Sequence, residues 1–226
     1  MDLSQILPKI AVMGLPILTA ITLHEVAHGW AARSCGDRTA EAQGRLSLNP
    51  INHVDPMGTV VVPGLLLLVA APFLFGWAKP VPVNPSRFKH YRADWVKVAA
   101  AGPLANFAMA LLWGLLGVFT LHVAMGTGGN VYVEWLQKMA IYGVRYNVLI
   151  AVFNLVPIPP LDGGRVLTNL LPARSGFTEL LDKVEPWGLY IVLGLVATGI
   201  LDAIIGPPFR LIFNLFRGVF PFLPPN

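Results

Sequence analysis

"TLHEVAHGW", residues 22–30, follows "IAVMGLPILTAIT", residues 10–22, a stretch with almost no charge. Residues 6–32 are long and apolar enough for a membrane helix, which needs about 20 mostly apolar residues. Placing His24, Glu25 and His28 in such a helix is costly and implies function by default. On a helix, residues i and i+4 share a face about 6 Å apart along the axis, so His24 and His28 can converge on one ion. Two imidazole nitrogens suit Zn²⁺, and Glu25 projects beside the first of them, placed to take a proton from water. This is the HExxH pattern of zinc proteases.

The composition agrees with a membrane setting. Hydrophobic residues make up 55% of the 226, charged residues only 12%, and the mean hydropathy is +0.63. A soluble domain carries about twice that share of charge, so this chain has too little polar surface to face water. Further apolar spans are expected at 96–121, 136–157 and 187–205. Residues 59–77 are apolar but broken by Pro63-Gly64 and Pro72, and the tail 207–226 reads as a short interfacial helix. "AQGRLSLNP", within the polar stretch 34–58, alternates well enough for a short hairpin. The expected fold is therefore an all-α polytopic membrane protein, with about four transmembrane helices, a re-entrant segment at 59–77 and a β-hairpin-like loop. It forms one domain over 1–226. No cleavable leader is expected, because the apolar run continues straight into HEVAH.

The net charge of +4 might otherwise suggest nucleic acid, but the basic residues are gathered into loops. Loop 33–45 has Arg33, Arg38 and Arg45. Loop 78–97 has Lys79, Arg87, Lys89, Arg92 and Lys97, and loop 163–184 has Arg165, Arg174 and Lys183. Loop 122–134 has none. Cationic loops mark the cytoplasmic face. All three share it only if 59–77 dips in and returns, a backbone path that must be buried in protein or line a wet cavity. Cys35 is the single cysteine, so an intramolecular disulfide is impossible.

A catalytic zinc needs three protein ligands and one open position. His122, Glu134 and Asp202 fall at the opposite membrane face on this topology. Asp162 falls at the same end as HEVAH. Pro157, Pro159 and Pro160 should end its helix, and Gly163 and Gly164 should let the chain turn sharply.

Together, HEVAH, "GPLANF" (102–107) and "NLVPIPPLDGGR" (154–165) resemble, in this order, the site-2 protease family of intramembrane zinc metalloproteases. The likeness extends over nearly the whole chain and is greatest to compact prokaryotic members without PDZ or CBS modules. It implies that His24, His28 and Asp162 bind Zn²⁺ and that Glu25 is the catalytic base or acid. It also implies that Asn106 and Asn154 line the active site near substrate; the alternative for asparagines in membrane helices is hydrogen bonding between helices. His53, in a polar loop, fits either a cleft wall or a brace for a turn. The resemblance implies a protease of the prokaryotic plasma membrane, with a transmembrane protein as substrate, the lipid bilayer as surroundings and the active site toward the cytoplasm. A zinc transporter or sensor would need a second charged site along a path, and no second His/Asp cluster is present.

Overall fold

Three long helices carry the structure, a computed structural model that describes residues 3–68, 76–172 and 175–225. They are α1 (Leu3–Ser34), α4 (Tyr91–Thr127) and α5 (Val131–Asn154). Between the first two lie α2 (Thr39–Ala42) and α3 (Val62–Leu68). After α5 come α6 (Asp162–Leu170), α7 (Gly176–Val184), α8 (Gly188–Ala197) and α9 (Ile200–Val219). Asn130 starts α5 by accepting the Tyr132 and Val133 N–H groups on its side-chain oxygen. That cap fixes a tight α4–α5 turn after Gly128, which sits in the left-handed region at φ 77°.

The directions of the helices follow from their contacts. His24 meets Asn106 while His28 meets Val98, so α1 and α4 run antiparallel. Asn106 meets Asn147, and Gly143 sits against Trp113, so α4 and α5 are antiparallel as well. α5 therefore runs parallel to α1, and its C-terminal end arrives at the level of HEVAH.

Leu104, Leu111, Leu112, Leu115 and Phe119 cover the outer face of α4 and are exposed. An apolar surface of that extent belongs against lipid or a partner. Ala11–Ser34 and Tyr91–Gly126 are each long and apolar enough to cross a bilayer. The expectation was about four such helices. α5 has the length, but Glu134, Lys138 and Arg145 dilute its apolar character. Arg145 is exposed, with its guanidinium 5.9 Å from the ring centre of Phe209.

The C-terminal part departs from the sequence reading. Residues 187–205 do not form one continuous helix: the helical pair Gly176–Ala197 and Ile200–Val219 is bent by 83°. The break falls at Gly199, whose φ of 74° is open to glycine but strained for other residues. The tail helix packs one face into the bundle. Phe213 and Phe220 are buried against Ala110, Val144 and Val148, and the Phe220 and Phe222 rings fill the space that Gly114 and Gly117 leave on α4.

No strand forms among the described residues, so the hairpin expected in 42–50 is absent. The Arg45 N–H closes back on the Ala40 carbonyl. Asn49 turns the chain into the single helical turn Pro50–His53 by accepting the Ile51 N–H. With both ends turned, the stretch has no neighbouring strand to pair with. Residues 69–75 of the 59–77 segment lie outside the described residues. Its two ends are pinned together: the Trp77 N–H donates to the Gly58 carbonyl at 3.1 Å, and the Thr59 hydroxyl donates to the Trp77 carbonyl at 2.9 Å.

The chain then runs as a strap, 76–84, toward the end of α1. Asp37, 1% exposed, anchors its far end. One carboxylate oxygen accepts the Asn84 N–H at 2.6 Å and the other accepts the Thr39 N–H at 3.0 Å. Burial alone would raise the Asp37 carboxyl's pKa. The hydrogen bonds from Thr39 and Asn84, with Arg87 nearby, outweigh it and hold the pKa below the ordinary value. A depressed carboxyl contributes stability that is present above its unfolded pKa, near pH 4, and is lost as pH falls through the folded pKa. Asp37→Asn, which turns an amide donor toward one of these N–H groups, should lower the apparent melting temperature in detergent at pH 7. The deficit should correspond to about 1–3 kcal/mol and should narrow when the melts are repeated near pH 3.

Candidate active site

The site is built where one stripe of α1 meets one stripe of α4. Ala20, His24 and His28 recur every four residues on α1; Val98, Gly102 and Asn106 do so on α4. A side chain at Gly102 would collide with both imidazoles: its Cβ would lie 2.5 Å from His28 Nε2 and 2.6 Å from His24 Cε1. The missing side chain is the space the two rings occupy. They meet edge to face, with centroids 4.6 Å apart.

On either side of that gap α4 supplies an acceptor for each ring. His24 Nδ1 lies 2.7 Å from Asn106 Oδ1, and His28 Nδ1 lies 2.7 Å from the Val98 carbonyl oxygen. Both partners only accept, so both Nδ1 atoms carry the hydrogen. Both Nε2 atoms of the neutral rings then present lone pairs.

Those lone pairs face each other at 3.0 Å and face Asp162 Oδ2 at 3.2 Å and 3.4 Å. Asp162 Oδ2 is buried and has no hydrogen-bond partner. Three acceptors crowded together repel unless a cation lies among them. Ligand atoms about 2.0–2.1 Å from a tetrahedral zinc sit about 3.3 Å from one another, which the three separations match. The donor set fits zinc.

Asp162 reaches the site because α5 stops at Asn154, before the proline run, and α6 begins at Asp162 itself. The expected role of the two glycines needs correction. Gly163 and Gly164 are helical and neither has a positive φ. What they supply is clearance: a Cβ on Gly163 would lie 2.2 Å from the Leu155 carbonyl oxygen, and one on Gly164 would lie 2.4 Å from the Pro159 nitrogen. Any side chain would push α6, and Asp162 with it, away from the histidines.

Glu25 stands outside the cluster of three. Its Oε2 accepts the Val81 N–H from the strap at 2.8 Å. Two cavities meet at His24 and Glu25. One, of about 280 Å³, is largely apolar and includes Ile21, Trp77, Phe153 and Val192. The other, of about 170 Å³, is more polar and includes His28, Asp162 and Arg165. The strap forms one wall of both, and Asn154 and Pro160 line the opposite wall.

Asn154 thus borders the cleft, with its amide donating to the Ile150 carbonyl. Asn106, expected near substrate, is 0% exposed and wholly engaged with protein groups. His53, 2% exposed, lies apart from the ligand cluster. Its Nε2 is 2.8 Å from the Ser47 carbonyl oxygen, and the ring lines a separate apolar cavity of about 320 Å³ beside the strap. Sequence reading missed the Val98 carbonyl and the Val81 N–H, because backbone groups have no sequence signature. It also missed Asn147, whose only signal is an amide on an apolar helix.

A zinc-fitting triad with a neighbouring carboxylate, set within apolar helices, defines an intramembrane zinc metallopeptidase. Comparison with known proteins agrees. The sequence model of Peptidase family M50 matches residues 115–198, which include Asn154 and Asp162. YwhC of Bacillus subtilis (strain 168), which carries a zinc-metalloprotease name, is 35% identical over 91% of this chain and 91% of its own length. Rip2 of Mycolicibacterium smegmatis, similarly named, is 30% identical over 82% of this chain and 66% of its own. Zinc metalloprotease MJ0392 of Methanocaldococcus jannaschii is 22% identical over 85% of this chain and 44% of its own. No solved structure matches the chain. The chain belongs to Peptidase family M50, the site-2 protease family.

Gly102→Ala should displace both rings, so zinc per chain, measured by elemental analysis of purified protein, should fall well below one. Gly126→Ala, where a Cβ meets nothing within 4 Å, should keep the wild-type value.

Proposed function

We propose that this protein hydrolyses a peptide bond within or beside a transmembrane segment of a membrane-protein substrate. In this reading His24, His28 and Asp162 hold the zinc and Glu25 is the general base and acid. The observation that carries it is the convergence of three acceptor atoms, two imidazole nitrogens and one carboxylate oxygen, at 3.0–3.4 Å inside apolar helices, with a second carboxylate, Glu25, beside them.

Zinc, when bound, supplies Lewis-acid polarisation of the scissile carbonyl and of the attacking water. Glu25 takes the proton of that water and returns it to the leaving nitrogen. The Val81 N–H holds one carboxylate oxygen in place while the other exchanges the proton. Asn154 commits one amide hydrogen to Ile150 and retains a second to donate to the substrate carbonyl. The apolar lobe receives the substrate segment and the polar lobe admits water. A helical substrate must unwind to expose its carbonyl, and the cleft between the strap and the end of α5 is where it lies extended.

The protein works as a single domain in the plasma membrane of a prokaryotic cell, with the polar lobe toward the cytoplasm. α5 crosses together with α1 and α4. Residues 59–77 enter and leave on the same side, a reading supported by the pinning of Trp77 to Gly58 and Thr59 and by the charge of the flanking loops.

Glu25→Gln should lower cleavage of a transmembrane substrate by about 10²–10⁴-fold with zinc content unchanged. Asp162→Ala should lose both zinc and cleavage. Cleavage near the wild-type rate by Glu25→Gln would remove it as the base. For topology, single cysteines at Ser86 and Gly126 in a Cys35→Ser background can be treated on intact cells with an impermeant thiol reagent. Gly126→Cys should react and Ser86→Cys should not; labelling of the latter from outside overturns the dip.

A further inference from the structure

Asn147, in the middle of α5, is 0% exposed and has no part in the reaction as derived so far. Its hydrogen bonds form a line with only one consistent direction. The Gly143 carbonyl can only accept, so Asn147 Nδ2 donates to it, at 2.8 Å. That turns Asn147 Oδ1 toward Asn106 as an acceptor. Asn106 Nδ2 gives one hydrogen to Asn147 Oδ1 at 3.0 Å and the other to the Ala20 carbonyl at 3.1 Å. Asn106 must then present Oδ1 to His24, 2.7 Å away, and His24 must carry its hydrogen on Nδ1.

No other orientation satisfies these buried groups. With Asn106 turned over, its oxygen faces two oxygens, Ala20 O and Asn147 Oδ1. With Asn147 turned over as well, its oxygen faces the Gly143 carbonyl. Each flip leaves a buried oxygen–oxygen contact and an unsatisfied donor, which burial away from water penalises. Trp113, packed on Gly143 where a Cβ would lie 2.2 Å from the ring, helps seal the line from outside. Two backbone carbonyls, Ala20 on α1 directly and Gly143 on α5 through Asn147, thus set the direction of Asn106 and with it which nitrogen of the His24 imidazole is free.

We infer that Asn147 is a positioning residue for the zinc site, acting through Asn106 to lock His24 in the tautomer whose Nε2 can bind metal. The inference rests on the reading of His24 as a ligand. Partners that orient a metal-binding histidine typically contribute about 10–100-fold in affinity, and the effect here is transmitted one residue further than usual.

The test uses the full chain purified in detergent. Zinc affinity is measured by competition with a chelator, the ligand field by the absorption of the cobalt(II)-substituted protein, and folding by the melting of the metal-free form. Asn147→Leu removes the hydrogen bonds at similar volume and should weaken zinc binding about 10–100-fold and alter the cobalt spectrum. Asn106→Leu should weaken zinc binding at least as much. The double variant should be no worse than Asn106→Leu alone, because Asn147 has no route to His24 except through Asn106. Wild-type zinc affinity in Asn147→Leu, or fully additive losses in the double variant, would overturn the inference. So would a lowered metal-free melting temperature with zinc affinity unchanged. If the leucine variant does not fold, Asn147→Ala is read in the same way. His24→Ala separates the two levels of the argument: if it keeps its zinc, the ligand reading itself falls; if it loses zinc while Asn147→Leu does not, only the relay falls.

Discussion

Two imidazoles from adjacent turns of one helix must turn their free nitrogens to the same point, and neither can do so unaided. A histidine ring on an apolar helix has rotational freedom and two tautomers. The close approach of α4 removes both freedoms. Gly102 leaves room for the rings, the Val98 carbonyl takes the Nδ1 hydrogen of one, and Asn106 takes that of the other. A side chain at 102 would force the helices apart and remove both acceptors. The rest of the site depends on this contact, because Asp162 has a target only when the two Nε2 atoms already coincide.

The third acceptor sets a second condition, met by a different use of glycine. Asp162 begins a short helix that folds back against the end of α5, and Gly163 and Gly164 let it lie directly on the Leu155–Pro159 backbone. At 102 and at 163–164 alike, glycine provides absence of volume and no unusual backbone angle. The proline run before Asp162 ends α5, because each proline removes an N–H that the helix would need.

The strap makes the opposite wall rigid by a different route. Pro80 and Pro82 have no N–H to satisfy, and each restricts the residue before it to extended conformations. Four of the other N–H groups are taken by the body of the protein: Trp77 by Gly58, Lys79 by His53, Val81 by Glu25 and Asn84 by Asp37. His53 therefore serves the site indirectly, by fixing with its backbone carbonyl the strap that holds Glu25.

The sequence by itself determined the elements and their chemistry. Apolar run length located α1, α4 and α5, and a four-residue repeat put His24 and His28 on one face. Proline placement ended α5 before Asp162. These are properties of neighbouring residues, for which helix periodicity and peptide geometry suffice. Tertiary structure decided what each face meets. That Asn106 turns to His24, that the Val98 carbonyl and Val81 N–H complete the site, and that Asn147 stands behind Asn106 depend on which helices pack together and at what register. So do the bend at Gly199, the burial of Phe213 and Phe220, and the lack of a strand in 42–50. Periodicity says which side chains share a stripe and says nothing about the stripe opposite. Backbone donors and acceptors are the same at every position, so their part in a site appears only when distant segments are brought within hydrogen-bonding reach.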